Sequence, residues 1–199
     1  MNAAPALGVL LALALTAIAV RRRGAGPTVS FHGWDWARVT LTVALLLAAI
    51  PWIAAELGFH LGGVPVLGDL FLTGEIRTEP GGTPGSAVHL GHHHGLDGVL
   101  LACTALLLTR PVARLPAGRL RFGLAAYLSL MLMYGLANAL QDFWLEQLVK
   151  RGTTDTALPS VLRPSLEPAW LGILAAAALT CLMFSRAGRV RAESERRSP

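Results

Sequence analysis

The chain has 199 residues, 53% of them apolar and only 15% charged, with a formal net charge of +5 and two cysteines. A soluble domain carries about 25% charged residues, so this balance, with a mean hydropathy of +0.53, excludes an ordinary soluble fold and indicates a membrane protein. The net positive charge could suggest nucleic acid, but its distribution argues for a topology signal instead, because the cations cluster at the ends of apolar blocks.

A bilayer-crossing helix needs roughly 20 mostly apolar residues. Five blocks answer that description: 3–20, 39–58, 93–109, 122–142 and 168–185. The first has no basic residues before its apolar core and is followed by Arg21, Arg22 and Arg23. That order suits a retained helix more than a secretory leader; cleavage within its small-residue end would leave four spans and the same outer side. The second block ends in "PWIAAELGFH", where Pro51 should kink the helix. A long Gly- and Pro-rich connection, about 59–88, follows with Asp69, Glu75 and Glu79. Loops of that length are often lids or else lack structure, and "VLGDLFL" is apolar enough to lie on the bilayer as a short helix or dip into the bundle. Ser86 reads as an N-cap, which would start the third helix before His89.

The third block opens with "HLGHHHGLDG", four of the chain's six histidines within six residues. Gly91, Gly95 and Gly98 lie among them and permit close approach of a neighbouring helix. The fourth block ends in "YGLANALQDFWLE", and "FWLEQLVKR" can extend that helix. Trp34 and Trp36 suit one membrane interface, Trp144 and Trp170 the other. Cys103 and Cys181 fall inside apolar blocks, as small buried side chains with no disulfide. The charged tail 186–199 reads as disordered.

Thirteen of the 17 Lys and Arg fall on one side of the five blocks, around 21–38, 110–121 and 186–197. Only Arg77, Lys150, Arg151 and Arg163 lie on the other. Because positive residues mark the cytoplasmic face, the N-terminus should be outside, the C-terminus inside, and the histidine segment outside.

Residues four apart share a helix face. His89, His93 and Asp97 form one such stripe, with His92 beside it and His94 read as pointing away. Glu56 and His60 form a second; Tyr134, Asn138, Asp142 and Glu146 form a third. Glu56 is 18 residues from Arg38, and His93 and Asn138 are each 17 from Arg110 and Arg121. At about 1.5 Å per residue, all three lie at one level, roughly 25–27 Å from the basic ends. Ionisable groups toward the bilayer centre cost a few kcal/mol and normally face a partner, a cavity or water. The pattern therefore predicts a polar cup open to the outside, with Asp97 its deepest acid.

Imidazoles and carboxylates on facing helices suit a divalent metal, zinc foremost. The expected ligands are His60, His89, His93, Asp97 and Asp142. With Glu56 or Asp97 as base, such a site would hydrolyse a lipid or peptide at the outer leaflet. A hydrogen-bonded polar cluster without metal accounts for the same residues, and paired histidines such as His60 and His93 would also suit a b-type haem. No HExxH or GxSxG motif is present. Transport through one subunit is disfavoured, since the basic half of the blocks holds no ionisable side chain to line a path.

The expectation is an all-α, polytopic helix bundle of about five spans over 1–185, followed by the basic tail, in the plasma membrane. Its lead function is a metal-dependent hydrolase. The alternative is a non-enzymatic membrane protein that binds metal or haem, or that supports a membrane complex.

Overall fold

The computed structural model describes residues 14, 18, 21, 33–56, 63–66, 68, 73–78, 83–86, 93–156 and 158–197, with backbone alone at 55, 56, 77, 93 and 186–197. Two compact units result, residues 1–33 and 34–199. Of the first, positions 14, 18 and 21 are helical; the rest of the block 3–20 lies outside the described residues.

The second unit is built of helices: α1 (Gly33–Ala48), α2 (Ile50–Glu56), α3 (His93–Ala113), α4 (Arg119–Trp144) and α5 (Pro168–Arg197). Three stretches, His94–Ala113, Arg119–Val149 and Pro168–Ser185, are long and apolar enough to cross a membrane. The surface agrees: Leu46 and Leu47 of α1, Leu107 of α3, Leu140 of α4 and Leu179 of α5 stand 42–65% exposed. Soluble monomers rarely leave so much apolar surface uncovered.

The second apolar block is broken in two at Ala49. Pro51 has no N–H for the Leu47 carbonyl, and its ring crowds that carbonyl. The Ala49 N–H is shared between Leu45 O at 3.0 Å and Leu46 O at 3.2 Å, and the ladder resumes from Ile53 N to Ala49 O at 2.9 Å.

Ser86, the expected N-cap, is a strand residue. It lies in β2 (Gly85–Ser86), which pairs antiparallel with β1 (Ile76–Arg77), Ile76 opposite Ser86 and Arg77 opposite Gly85. The described part of α3 starts only at His93, and residues 87–92 lie outside the description.

Helix α4 continues into a single π-helical turn, Leu145–Val149. There the Lys150 N–H reaches back five residues to Leu145 O at 2.9 Å. The end is closed by Gly152 at φ 73, a left-handed conformation natural to glycine. Gly152 N donates to Val149 O and Thr153 N to Leu148 O, both at 2.9 Å. This bond pair is the Schellman closure. Pro168 opens α5, where a missing N–H costs nothing. The tail expected to lack structure instead continues α5 through Arg197, in keeping with the helix propensity of its Arg, Ala and Glu residues.

The core is made of small residues. Gly98 and Gly135 place the backbones of α3 and α4 in contact: a Cβ on Gly98 would lie 2.5 Å from Gly135 O, and one on Gly135 would lie 2.6 Å from Gly98 O. Below this crossing Ala102, Ala105, Leu106 and Leu132 pack together, with Phe184 of α5 against them. Ala49 and Trp52 pack on Val99 and Cys103, which seats α2 on α3, and Leu45 of α1 packs against the same cluster. Lipid tails offer helices no hydrophobic drive to associate, so close van der Waals packing of small residues holds such bundles. Cys103 and Cys181 are buried free thiols.

At the basic end one buried acid joins two helices. Asp35 of α1 is 4% exposed. Its Oδ1 accepts from Arg38 Nη1 at 3.0 Å, and its Oδ2 lies 3.4 Å from Arg110 Nη2 of α3. Arg38 Nε donates to Thr109 Oγ1 at 2.9 Å, and that hydroxyl donates to Leu106 O at 2.7 Å. Arg38 and Arg110 therefore stand at one level, as the depth argument from sequence assumed.

Candidate functional site

Among the described residues the predicted cup has two parts, one beneath Trp52 and one in an open groove.

The inner place lies where α2, α3 and α4 meet. Gly95 of α3 sits under the indole of Trp52 and the carboxylate of Asp142, so that a Cβ there would lie 2.5 Å from Asp142 Oδ2. Asn138, Asp142 and Glu146 are 4%, 6% and 1% exposed, so the α4 stripe does turn inward. Glu146 pairs with Lys150 at 2.9 Å across the π-helical turn. Glycine at 95 is what admits the Trp52 ring and the carboxylate to the α3 backbone.

The outer place is an open groove of about 530 Å³ between α3 and α4. Its polar lining is His94, Asp97 and Thr104 from α3 with Tyr134 and Asn138 from α4. Leu100, Leu101 and Leu162 supply the apolar lining. Leu162 belongs to the segment returning to α5. That segment is tied down by Val161 N–H donating to Gln141 Oε1 at 3.1 Å and by Trp144 Nε1–H donating to Thr156 O at 2.9 Å. Tyr134 stacks on Trp170 of α5 with ring centroids 5.5 Å apart.

Asp97 is exposed and lies in the groove. It follows Gly95 by two residues, which is about 200° around the helix. Gly95 therefore faces Asp142, while Asp97 faces the groove that Asn138 also lines. The cause is packing: the Gly95–Gly98–Ala102 face of α3 has the closest approach to its neighbours and takes the interior, which leaves the acid on the opposite face.

His60 and His89, and the side chains of Glu56 and His93, lie outside the described residues. Among the described residues, no three His, Cys, Asp or Glu side chains are grouped as a metal would need. His94 and Asp97 offer two donors from one helix, and a metal would need more from the undescribed histidine segment.

His94 is the residue that the four-residue stripe missed. Residues three apart are also neighbours on a helix, so His94 stands beside Asp97. The Asp35 cluster was missed too. The signal was present in an acid inside the basic first loop, "WDWAR", but its partner Arg110 is remote in sequence.

No family model, curated protein or solved structure matches the chain.

Proposed function

We propose that this chain is a multi-pass plasma-membrane protein that binds a ligand at the outer leaflet, in the groove between α3 and α4. The single observation that carries the reading is the convergence of His94, Asp97, Tyr134 and Asn138, from two helices, in one open groove within otherwise apolar surroundings. Five crossings are proposed. Beside the three long helices, the block 3–20 supplies one, and α1 with α2 supplies another over a rise of roughly 35 Å. The arginine asymmetry sets the N-terminus outside and the C-terminus in the cytoplasm.

That orientation makes a direct prediction. A cysteine introduced at Gly82 should react with an impermeant maleimide applied to intact cells, and one at Gly118 should not. The reverse pattern would put the groove at the cytoplasmic leaflet and defeat the proposal.

A metal-dependent hydrolase is the second reading, favoured by one observation: Asp97 stands in an open groove directly after a segment holding four imidazoles. His60, His89, His93 and Asp97 would hold the ion, a divalent metal such as zinc, which would polarise the scissile bond. Asp142, whose carboxylate faces Gly95 of α3, would be a further ligand. Glu56 is the remaining candidate for a base. A b-type haem on the same histidines is a variant of this reading.

One set of preparations separates these. Detergent-purified protein is analysed by native mass spectrometry, elemental analysis and visible absorption, together with Thr104→Trp, which fills the groove, and Leu174→Trp on the exposed face of α5. Binding without metal predicts a retained small mass, lost in Thr104→Trp and kept in Leu174→Trp. Stoichiometric zinc that is lost in Asp97→Asn supports the hydrolase; a Soret band supports haem. Neither a retained mass nor a metal, in any preparation, would reject both readings.

A further inference from the structure

We infer that the groove takes a lipid-like amphiphile whose head donates hydrogen bonds, an alcohol or a primary ammonium, and that it enters sideways from the bilayer. The inference rests on the proposed binding role of this groove and names the class of ligand.

The head is specified by what the groove lacks. Asn138 is 4% exposed, yet its Oδ1 accepts no hydrogen bond from any described residue. Leaving a buried acceptor without a donor is costly, and such a group in a native protein calls for an explanation. Asn138 lines the groove, so a ligand there can supply the donor once the covered Oδ1 turns toward it. Asp97, on the facing helix and in the same groove, is a second acceptor and, when ionised, acceptor-only. Two acceptors select a head rich in O–H or N–H. The carboxylate also disfavours a phosphate monoester.

The tail is specified by the other lining residues and by where the groove opens. Leu100 is 51% exposed and Thr104 is exposed, and both lie within the stretch His94–Ala113 that is apolar enough to cross a membrane. The same face continues in Leu107 and Leu108, 65% and 45% exposed. The groove mouth is therefore continuous with surface that meets lipid. From His94 to Thr104 it extends over ten residues of helix, roughly 15 Å. The His94 end is polar, and Leu100, Leu101 and Leu162 make the remainder apolar apart from the Thr104 and Tyr134 hydroxyls. A free polar solute would leave these leucines unused; an alkyl chain covers them.

The test uses the full chain in nanodiscs and twelve-carbon probes that carry a diazirine in the chain. Their heads are glycerol, primary ammonium, trimethylammonium and phosphate; a fifth probe is a water-soluble diazirine glycerol without the chain. Glycerol- and ammonium-headed probes should label peptides containing Leu100–Thr104 or Leu162, at least tenfold more than the phosphate and trimethylammonium probes. Labelling should fall about tenfold in Asn138→Leu, and in Leu100→Trp, which obstructs the chain without touching the acceptors. Equal labelling by trimethylammonium or phosphate heads would overturn the donor requirement. Labelling by the short probe as strong as by the long ones would overturn the amphiphile while leaving the groove a binding site. If Asn138→Leu does not fold, the head comparison in the parent and the Leu100→Trp variant still decide. Absence of labelling by every probe would overturn the inference, and the binding reading falls with it only if native mass spectrometry also finds no retained mass.

Discussion

Gly98→Leu should give no folded protein, and Gly98→Ala should lower stability by about 2–3 kcal/mol, the upper part of the range for overpacking. The atoms in the way are backbone: a Cβ at this position would lie 2.5 Å from Gly135 O and 2.7 Å from Ala139 N. No rotamer change relieves such a contact, so α3 and α4 must separate and the Ala102–Leu132 packing below them opens. Helix propensity works the other way, since alanine is favoured over glycine by about 1 kcal/mol; the steric term exceeds it. Gly123→Ala provides the contrast. It sits in α4 with nothing within 4 Å of an added Cβ, so there the propensity term should act alone and raise stability by up to about 1 kcal/mol. Denaturant titration in detergent measures both. Two variants of the same sign and size would mean that the crossing is not where the glycines place it.

Asp35→Ala should cost about 2–3 kcal/mol. Removing one partner from a buried ion pair costs about 3–5 kcal/mol, but Arg38 and Arg110 keep side-chain exposures of 17% and 24% and can recover part of their hydration. The loss should fall on the seating of α1 against α3, because Asp35 is the acid that touches an arginine of each. Arg110→Leu alone should also destabilise, and the double variant should be less damaged than the two single effects added, as residues in one network are not additive. Asp155→Ala, in an exposed loop, should stay within about 0.5 kcal/mol of the parent. An Asp35→Ala protein within the same margin would show the cluster to be incidental.

The long helices were legible in the sequence because apolar runs bounded by charge leave few alternatives. The blocks 93–109, 122–142 and 168–185 lie within α3, α4 and α5. The inward turn of Asn138, Asp142 and Glu146 was legible too, since four-residue spacing alone puts them on one face. So was the value of the glycines: among the described ones foreseen, Gly98 meets a neighbouring backbone and Gly95 receives a ring and a carboxylate. His94 was legible by its three-residue spacing to Asp97 and was passed over in favour of the four-residue stripe.

What the sequence determined by itself is therefore one-dimensional: which stretches are helical and apolar, which residues share a face, and which ends carry arginine. Only the tertiary structure decided which face of α3 meets which neighbour. The cost of a charge in lipid predicted that Asp97 would face inward, toward a histidine, a metal or water. In the structure the Gly95–Gly98–Ala102 face is inside and Asp97 lies in an open groove with Asn138. The physical reason is that a helix face is chosen by competition. Backbone contact at glycine gains many close van der Waals contacts at once and can be made on one face only, whereas an acid near a helix end finds polar company in a groove. The pairing of Asp35 with Arg110 was hidden for the same reason: 75 residues apart in sequence, they meet only because the fold brings the side chains of α1 and α3 together.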